Sequence, residues 1–218
     1  MPDSCPTWDL TDLYEGIGDD AIAADLARCR REAERMESAW QGKIDNATPQ
    51  DLATLIANYE KMLEALGKAQ SHAQLLFAAS TTDAQIARHH QSIREASADI
   101  GARLLFVELE IAALPSDHVD RLLETAEFAV WQPWLRRVRA FAPHQLSPDM
   151  ERMLAERAPS GRGAWVRLFD ETAAGLRFPF GDAEVTEAEV LNKLSSPDPD
   201  ERREAGVSLS QTLKANER

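Results

Sequence analysis

Cysteine is nearly missing from this sequence: Cys5 and Cys29 are the two among 218 residues. So few thiols, neither in a CxxC pair, exclude a disulfide framework. Cys29 falls on an apolar helical stripe, where a small thiol packs well, so both cysteines read as structural or incidental. Aromatic residues make up only 6%, while Ala, Leu, Glu and Arg are abundant. That balance favours helix over sheet, because such side chains lose little rotamer freedom in a helix. No apolar run approaches the ~20 residues that a membrane span requires, and no basic segment leading into an apolar one opens the chain. The expectation is a cytoplasmic protein with no membrane partner. Basic residues are in deficit, 24 against 37 acidic ones, for a net charge of −13 and a pI near 4.8. Nucleic acid is thereby disfavoured as a partner, since phosphate binding draws on clustered Lys and Arg. Arg136, Arg137 and Arg139 form a local basic cluster that reads as a solvated helix face or a set of carboxylate partners.

What is present is helical pattern. With 44% hydrophobic residues the chain can bury a core as one large domain or two small ones. Residues 1–19 read as an arm whose aromatics, Trp8 and Tyr14, pack onto something larger. Asp19 or Asp20 then offers a helix cap, and Ile22, Leu26, Cys29, Ala33, Met36 and Trp40 recur on one face. Thr48-Pro49-Gln50-Asp51 starts a second helix running to about residue 79. Thr82 or Asp83 starts a third, which Leu114-Pro115 ends. Three long helices joined by short polar turns predict antiparallel packing. Shorter helices are expected near 117–127 and 133–141, with Trp131 and Trp134 packed between helices. Ser147-Pro148-Asp149 starts one more, through about Ala158.

The loop of Pro159, Ser160, Gly161 and Gly163 changes the character of the chain and is the best internal boundary, or a divider of subdomains. It separates a helical bundle at 20–158 from a helix-hairpin-helix segment at 164–218. Ala164 to Glu171 reads as a short helix. Strands are expected at 176–180 and 183–185 around Gly181-Asp182, with Pro179 restricting the hairpin to an edge. Thr186-Glu187-Ala188-Glu189 has the form of a capping box for a helix to about Leu194. Asp198-Pro199 starts a final helix whose buried face is marked by Ala205, Leu209 and Leu213. After Leu213 no Gly or Pro stops that helix, so the terminus reads as a cut through a longer protein. The fold class is therefore mostly α: an antiparallel long-helix bundle, then shorter helices with one small β-hairpin near 176–185.

The order of signals from Pro143 onward is more specific than any one of them. PHxLS before an acidic helix, AWxxLFDE, LxF before a turn, TxxEV and LxSPDPxxRxxA follow one another, and WDLTDLY stands near the amino terminus. Together they make the chain resemble the amino-terminal region of oligoendopeptidase F, a bacterial member of the thimet-oligopeptidase-like zinc metallopeptidases. The resemblance is strongest over 143–218 and weaker between 20 and 130. It implies a helical wall of a substrate channel in an enzyme that hydrolyses oligopeptides. Its partner would be a carboxy-terminal catalytic domain missing from this chain, which carries the zinc.

The family places zinc on HExxH, two histidines one turn apart with a Glu that activates water, plus a downstream Glu. None of His72, His89, His90, His118 and His144 begins that pattern. Adjacent His89 and His90 point about 100° apart on a helix, and exposed or hydrogen-bonded roles are expected for all five. Glu108 with Glu110, Asp170 with Glu171, and the Asp198, Asp200 and Glu201 group resemble acid/base or metal clusters, but first-turn acids already stabilise helix starts. GRG at 161–163 lacks the spacing and Lys of a phosphate loop, and no GxSxG elbow occurs. No catalytic, cofactor-binding or metal residue is assigned to this chain, which is expected to be inactive alone. Two other readings stand beside this one: a free-standing α-helical interaction or scaffold module without activity, and an enzyme with a metal site among the scattered His and acids.

Overall fold

Caps and breakers divide the chain where the local chemistry dictates. A computed structural model describes residues 8–217; the seven residues before them, with Cys5 and the start of the arm, and Arg218 lie outside the described residues. Helix α1 (Asp20–Trp40) starts at Asp19, whose carboxylate accepts from the Ala21 N–H. Thr48 caps α2 (Pro49–Ala79) and Asp83 caps α3 (Ala84–Ala113), each through a side-chain oxygen on a first-turn N–H. These bonds satisfy donors that have no partner inside the helix. Both open alternatives are thus resolved: Asp19 rather than Asp20, and Asp83 rather than Thr82.

The three long helices form the body of the protein. Ile22 near the start of α1 packs with Ala69 and Ala73 late in α2 and with Ile93 early in α3. Tyr59 early in α2 donates to Glu108 late in α3. So α2 runs antiparallel to both neighbours, as short connections require. The main core joins Cys29, Ala33 and Met36 of α1, Leu52, Leu55, Ile56 and Leu66 of α2, and Ile100, Leu104, Val107 and Ile111 of α3. The arm contributes Tyr14, which is buried, whereas Trp8 stays 67% exposed and does not pack as expected. The Tyr14 hydroxyl donates to Asp25 at 2.9 Å, and the Lys68 ammonium sits 4.3 Å from the centre of its ring.

Next come α4 (Ser116–Leu123), a 3-10 turn over Ala126–Trp131, α5 (Gln132–Phe141) and α6 (Pro148–Arg157). The helix expected near 117–127 stops at Leu123 because the Thr125 hydroxyl bonds back to the Leu122 carbonyl at 2.8 Å and Thr125 turns extended. The tighter turn that follows seats Phe128 in the core with no exposure. Trp131 meets Phe128 edge-on and Trp134 lies against Tyr59, so both tryptophans pack between elements. Helix α7 (Arg162–Gly175) is longer at both ends than the expected 164–171. Its first turn closes on the Gly161 carbonyl, and Thr172-Ala173-Ala174 carries it onward until Leu176 turns extended.

Strands β1 (Phe178–Phe180) and β2 (Ala183–Val185) pair antiparallel with Phe178 opposite Val185. Gly181 has φ of 57° and Asp182 does not go positive, the pattern of a two-residue turn that needs glycine first. Glu204 accepts from the Gly181 N–H and ties that turn to α9 (Pro199–Ala215). With α8 (Glu187–Lys193) these elements enclose a separate small core of Phe178, Val190 and Ala205, all with zero exposure. Leu209 packs at its edge, but Leu213 is 51% exposed and falls outside it, contrary to the reading from periodicity. Helix α9 ends at Ala215, where Asn216 bonds back to the Thr212 and Leu213 carbonyls. The helix therefore ends among the described residues without the Gly or Pro whose absence led the sequence reading to expect no stop.

One ion group ties distant segments together. Glu37 on α1 accepts from Arg103 of α3 at 2.9 Å and from Arg152 of α6 at 3.0 Å, and its side chain is only 17% exposed. Two guanidiniums on one half-buried carboxylate make charge-assisted bonds stronger than neutral ones. Replacing Glu37 by Ala is expected to lower stability by about 1–2 kcal/mol, after allowing for the exposure of both arginines. Urea unfolding of the variant beside the natural protein checks this, and an unchanged midpoint would show the group to be passive.

Candidate functional site

The motifs that carry the resemblance are mostly explained by the fold. In PHxLS, Pro143 and His144 lie in a 3-10 turn over Ala142–His144, and Ser147 precedes α6. The following acid, Glu151, accepts from the Leu146 N–H at 2.9 Å, so the acidic first turn ties down the helix start. In LxF, Phe178 fills the small core. In TxxEV, Thr186 and Glu189 form a reciprocal capping box and Val190 is fully buried. In LxSPDPxxRxxA, Asp198 caps α9, Arg202 donates to the Ser196 and Pro197 carbonyls, and Ala205 is buried.

AWxxLFDE is different. Trp165 and Phe169 are each 72% exposed, Leu168 lies beside them, and α7 buries no residue fully. Positions i, i+3 and i+4 share one face of a helix, so the three side chains form a single apolar stripe. Helix α6 repeats the spacing with Met150, Met153 and Leu154, all exposed. Large aromatics left in water over a full turn mark a surface for interaction, unlike single scattered apolar residues. Sequence alone marked this helix only as a short one; the signal that could have singled it out is the Trp-x-x-Leu-Phe spacing, which puts three large apolar side chains on one face.

The polar residues considered as catalytic candidates have structural partners. Glu110 accepts from the Gly42 and Ile44 N–H groups and fixes the turn after α1. Glu108 holds Tyr59, Glu171 lies 3.7 Å from Arg167, Asp200 pairs with Arg203 and Glu201 with Lys193. Asp170 stands at the rim of a cleft beside α7. Arg139 closes the end of α3, donating to the Leu114 carbonyl at 2.5 Å and to Ser116, while Arg136 and Arg137 are exposed. Within the cluster Arg139 thus pairs with carbonyls and a hydroxyl rather than with carboxylates.

His118 is half-buried and His144 exposed. The other three histidines gather where α2 meets α3. The His72 ring packs edge-on against Tyr14, with centroids 5.4 Å apart, and against His89 at 6.2 Å; His90 stacks on Phe77 at 4.7 Å. His72 Nδ1, His89 Nε2 and His90 Nδ1 are buried without hydrogen-bond partners, so the expected hydrogen-bonded role is not what holds these atoms. Among the described residues no group of three or more His, Cys, Asp or Glu side chains could hold a metal ion. Also among the described residues, no helix is long and apolar enough to cross a membrane.

Comparison with known proteins agrees with the geometry. The family of oligopeptidase F, through its amino-terminal part, matches residues 110–178. That segment reaches from the end of α3 through α7 to β1, starting earlier than the motifs suggested and stopping before α8. The crystal structure of oligoendopeptidase-F from Enterococcus faecium is similar with a TM-score of 0.76 at 16% identity, over 90% of this chain. At that identity the likeness is one of fold. The chain spans 40% of the length of that protein. No curated protein sequence matches it. The expected resemblance to the amino-terminal region of this family is borne out.

Burial holds the His72, His89 and His90 pKa values below the ordinary 6.5. The unfolded chain then binds protons that the folded one refuses, so stability is full above about pH 6.5 and falls as pH drops below it. Urea midpoints measured at about pH 7.5 and about pH 5.5 are expected to decrease on acidification. His72→Phe, which keeps a ring against Tyr14 but removes one titrating group, is expected to reduce that decrease.

Proposed function

We propose that this chain is the amino-terminal, non-catalytic part of a zinc-dependent oligoendopeptidase that hydrolyses short peptides. Its helical body forms one wall of the substrate channel, and the exposed stripe on α7 seats against the carboxy-terminal catalytic part, which holds the zinc. The observation that carries this reading is the position of the stripe. The family match over 110–178 takes in AWxxLFDE, a motif that leaves two large aromatic side chains, Trp165 and Phe169, in water. Burying such a surface supplies association energy at roughly 25 cal/mol per Å² before the costs of association are met. The side chains that the fold does not use are thus those a neighbouring part of the enzyme would need.

Sequencing the gene past the Arg218 codon is the direct test. An in-frame continuation into a helix with HExxH and a later Glu is the expected result. A stop codon there would overturn the reading and leave a free-standing helical interaction module. The surface itself is tested by fluorescence of an apolar dye on the isolated chain. Binding is expected, and the double variant Trp165→Glu with Phe169→Glu should remove most of it while leaving the circular dichroism spectrum unchanged.

A further inference from the structure

A second feature on a different side of α7 is independent of the docking stripe. Between α2, α3 and the start of α7 lies a cleft of about 400 Å³, with Arg94, Arg162 and Arg167 on its walls and a single carboxylate, Asp170, at its rim. Arg167 is engaged by Gln91 and lies near Glu171. Arg94 and Arg162 have no ion-pair partner among the described residues, although the chain carries 37 acidic residues. Arg94 is half-buried, and its guanidinium lies so close to Gly163 that a Cβ there would strike it. The same Cβ would come within 2.9 Å of the Ala158 carbonyl, so glycine is needed for this approach of α7 to α3 and α6. On the wall of the cleft is His90, 5% exposed, its Nδ1 buried and without a partner. Phe77, Ala158 and Val166 complete the lining with apolar surface.

The Arg94 guanidinium, held partly out of water without a counter-charge, is unfavourably placed, and the exposed Arg162 adds positive charge to the wall of the same cleft. One bound anion would relieve both together, because guanidinium forks match the oxygens of carboxylate and phosphate groups. We propose that this cleft binds a small oxyanion, a carboxylate or phosphate group, ligated by Arg94 and Arg162 above His90, with the apolar wall receiving the body that carries it. Burial, then Arg94 and Arg167, hold the His90 pKa below the ordinary 6.5. An anion between the arginines opposes their effect, so His90 should titrate at higher pH once the site is filled.

Titration calorimetry with inorganic phosphate, N-acetylleucine and N-acetylleucine amide tests the proposal, with the His90 imidazole followed by NMR. Saturable binding of phosphate or of the free acid, but not of the amide, is expected. Binding of one and not the other identifies which oxyanion group the cleft takes. Arg94→Gln should weaken it about tenfold or more, the loss of one charge-assisted pair, and Arg94→Lys by less. The His90 titration should move upward only with the ligand that binds. Circular dichroism and urea unfolding establish that each variant is folded before its affinity is compared. Absence of saturable binding by both anions, equal binding of the amide, or affinity unchanged in both Arg94→Gln and Arg162→Gln would overturn it.

Discussion

The arrangement depends on α3 being buried along its length by different neighbours. Ile93 faces α1 and the end of α2, Ile100 and Leu104 sit in the main core, and Val107 and Ile111 close it near α4 and α5. A helix covered on more than one side must be apolar around much of its circumference, and its few polar residues then become consequential. His90 and Ser97 are buried on it, while Arg103, Glu108 and Glu110 each reach from it to a different segment. Helices α1, α2, α5 and α6 all pack on this one element. Removing any of its large apolar side chains would disturb several interfaces at once, which is why such cores respond strongly to truncation.

Secondary structure was legible in the sequence because helix starts are local chemistry. Asp19, Thr48-Pro49, Asp83, Thr186 and Asp198-Pro199 each place a short side-chain oxygen or a proline where the first turn needs it, and each marks a real start. Periodicity located the buried faces of α1 and α2 but could not measure depth. Leu213 lies on the buried face of α9 by spacing, yet it extends past the small core that would have covered it. The 3-10 turn at Ala126–Trp131 was missed because it answers to the seating of Phe128 and to a hydroxyl bond at Thr125, neither of which has a periodic signature.

The sites were less legible because they are made by pairings remote in sequence. Glu37 meets Arg103 across 66 residues and Arg152 across 115. Nothing near any of the three announces the others. The same holds for the cleft, where Arg94 from α3 faces Arg162 and Arg167 from α7 across a glycine contact. By contrast, the exposed stripe on α7 lies within a motif visible in the sequence, but its outward direction has no local signal. Trp165, Leu168 and Phe169 have the spacing of a core-facing helix, and only the absence of a covering layer shows that they are directed outward.

The net charge of −13 has a consequence for that stripe. Exposed tryptophan and phenylalanine on a neutral protein invite copies to adhere to one another. Here copies that carry the same net charge repel one another once they come within a screening length of about 8 Å at physiological salt. A neighbour joined to the same polypeptide does not face that barrier as a free diffusing body does, because its local concentration is set by the connection and not by encounter. A net charge of this size would work against homotypic adhesion and would weigh less on a contact made within one polypeptide.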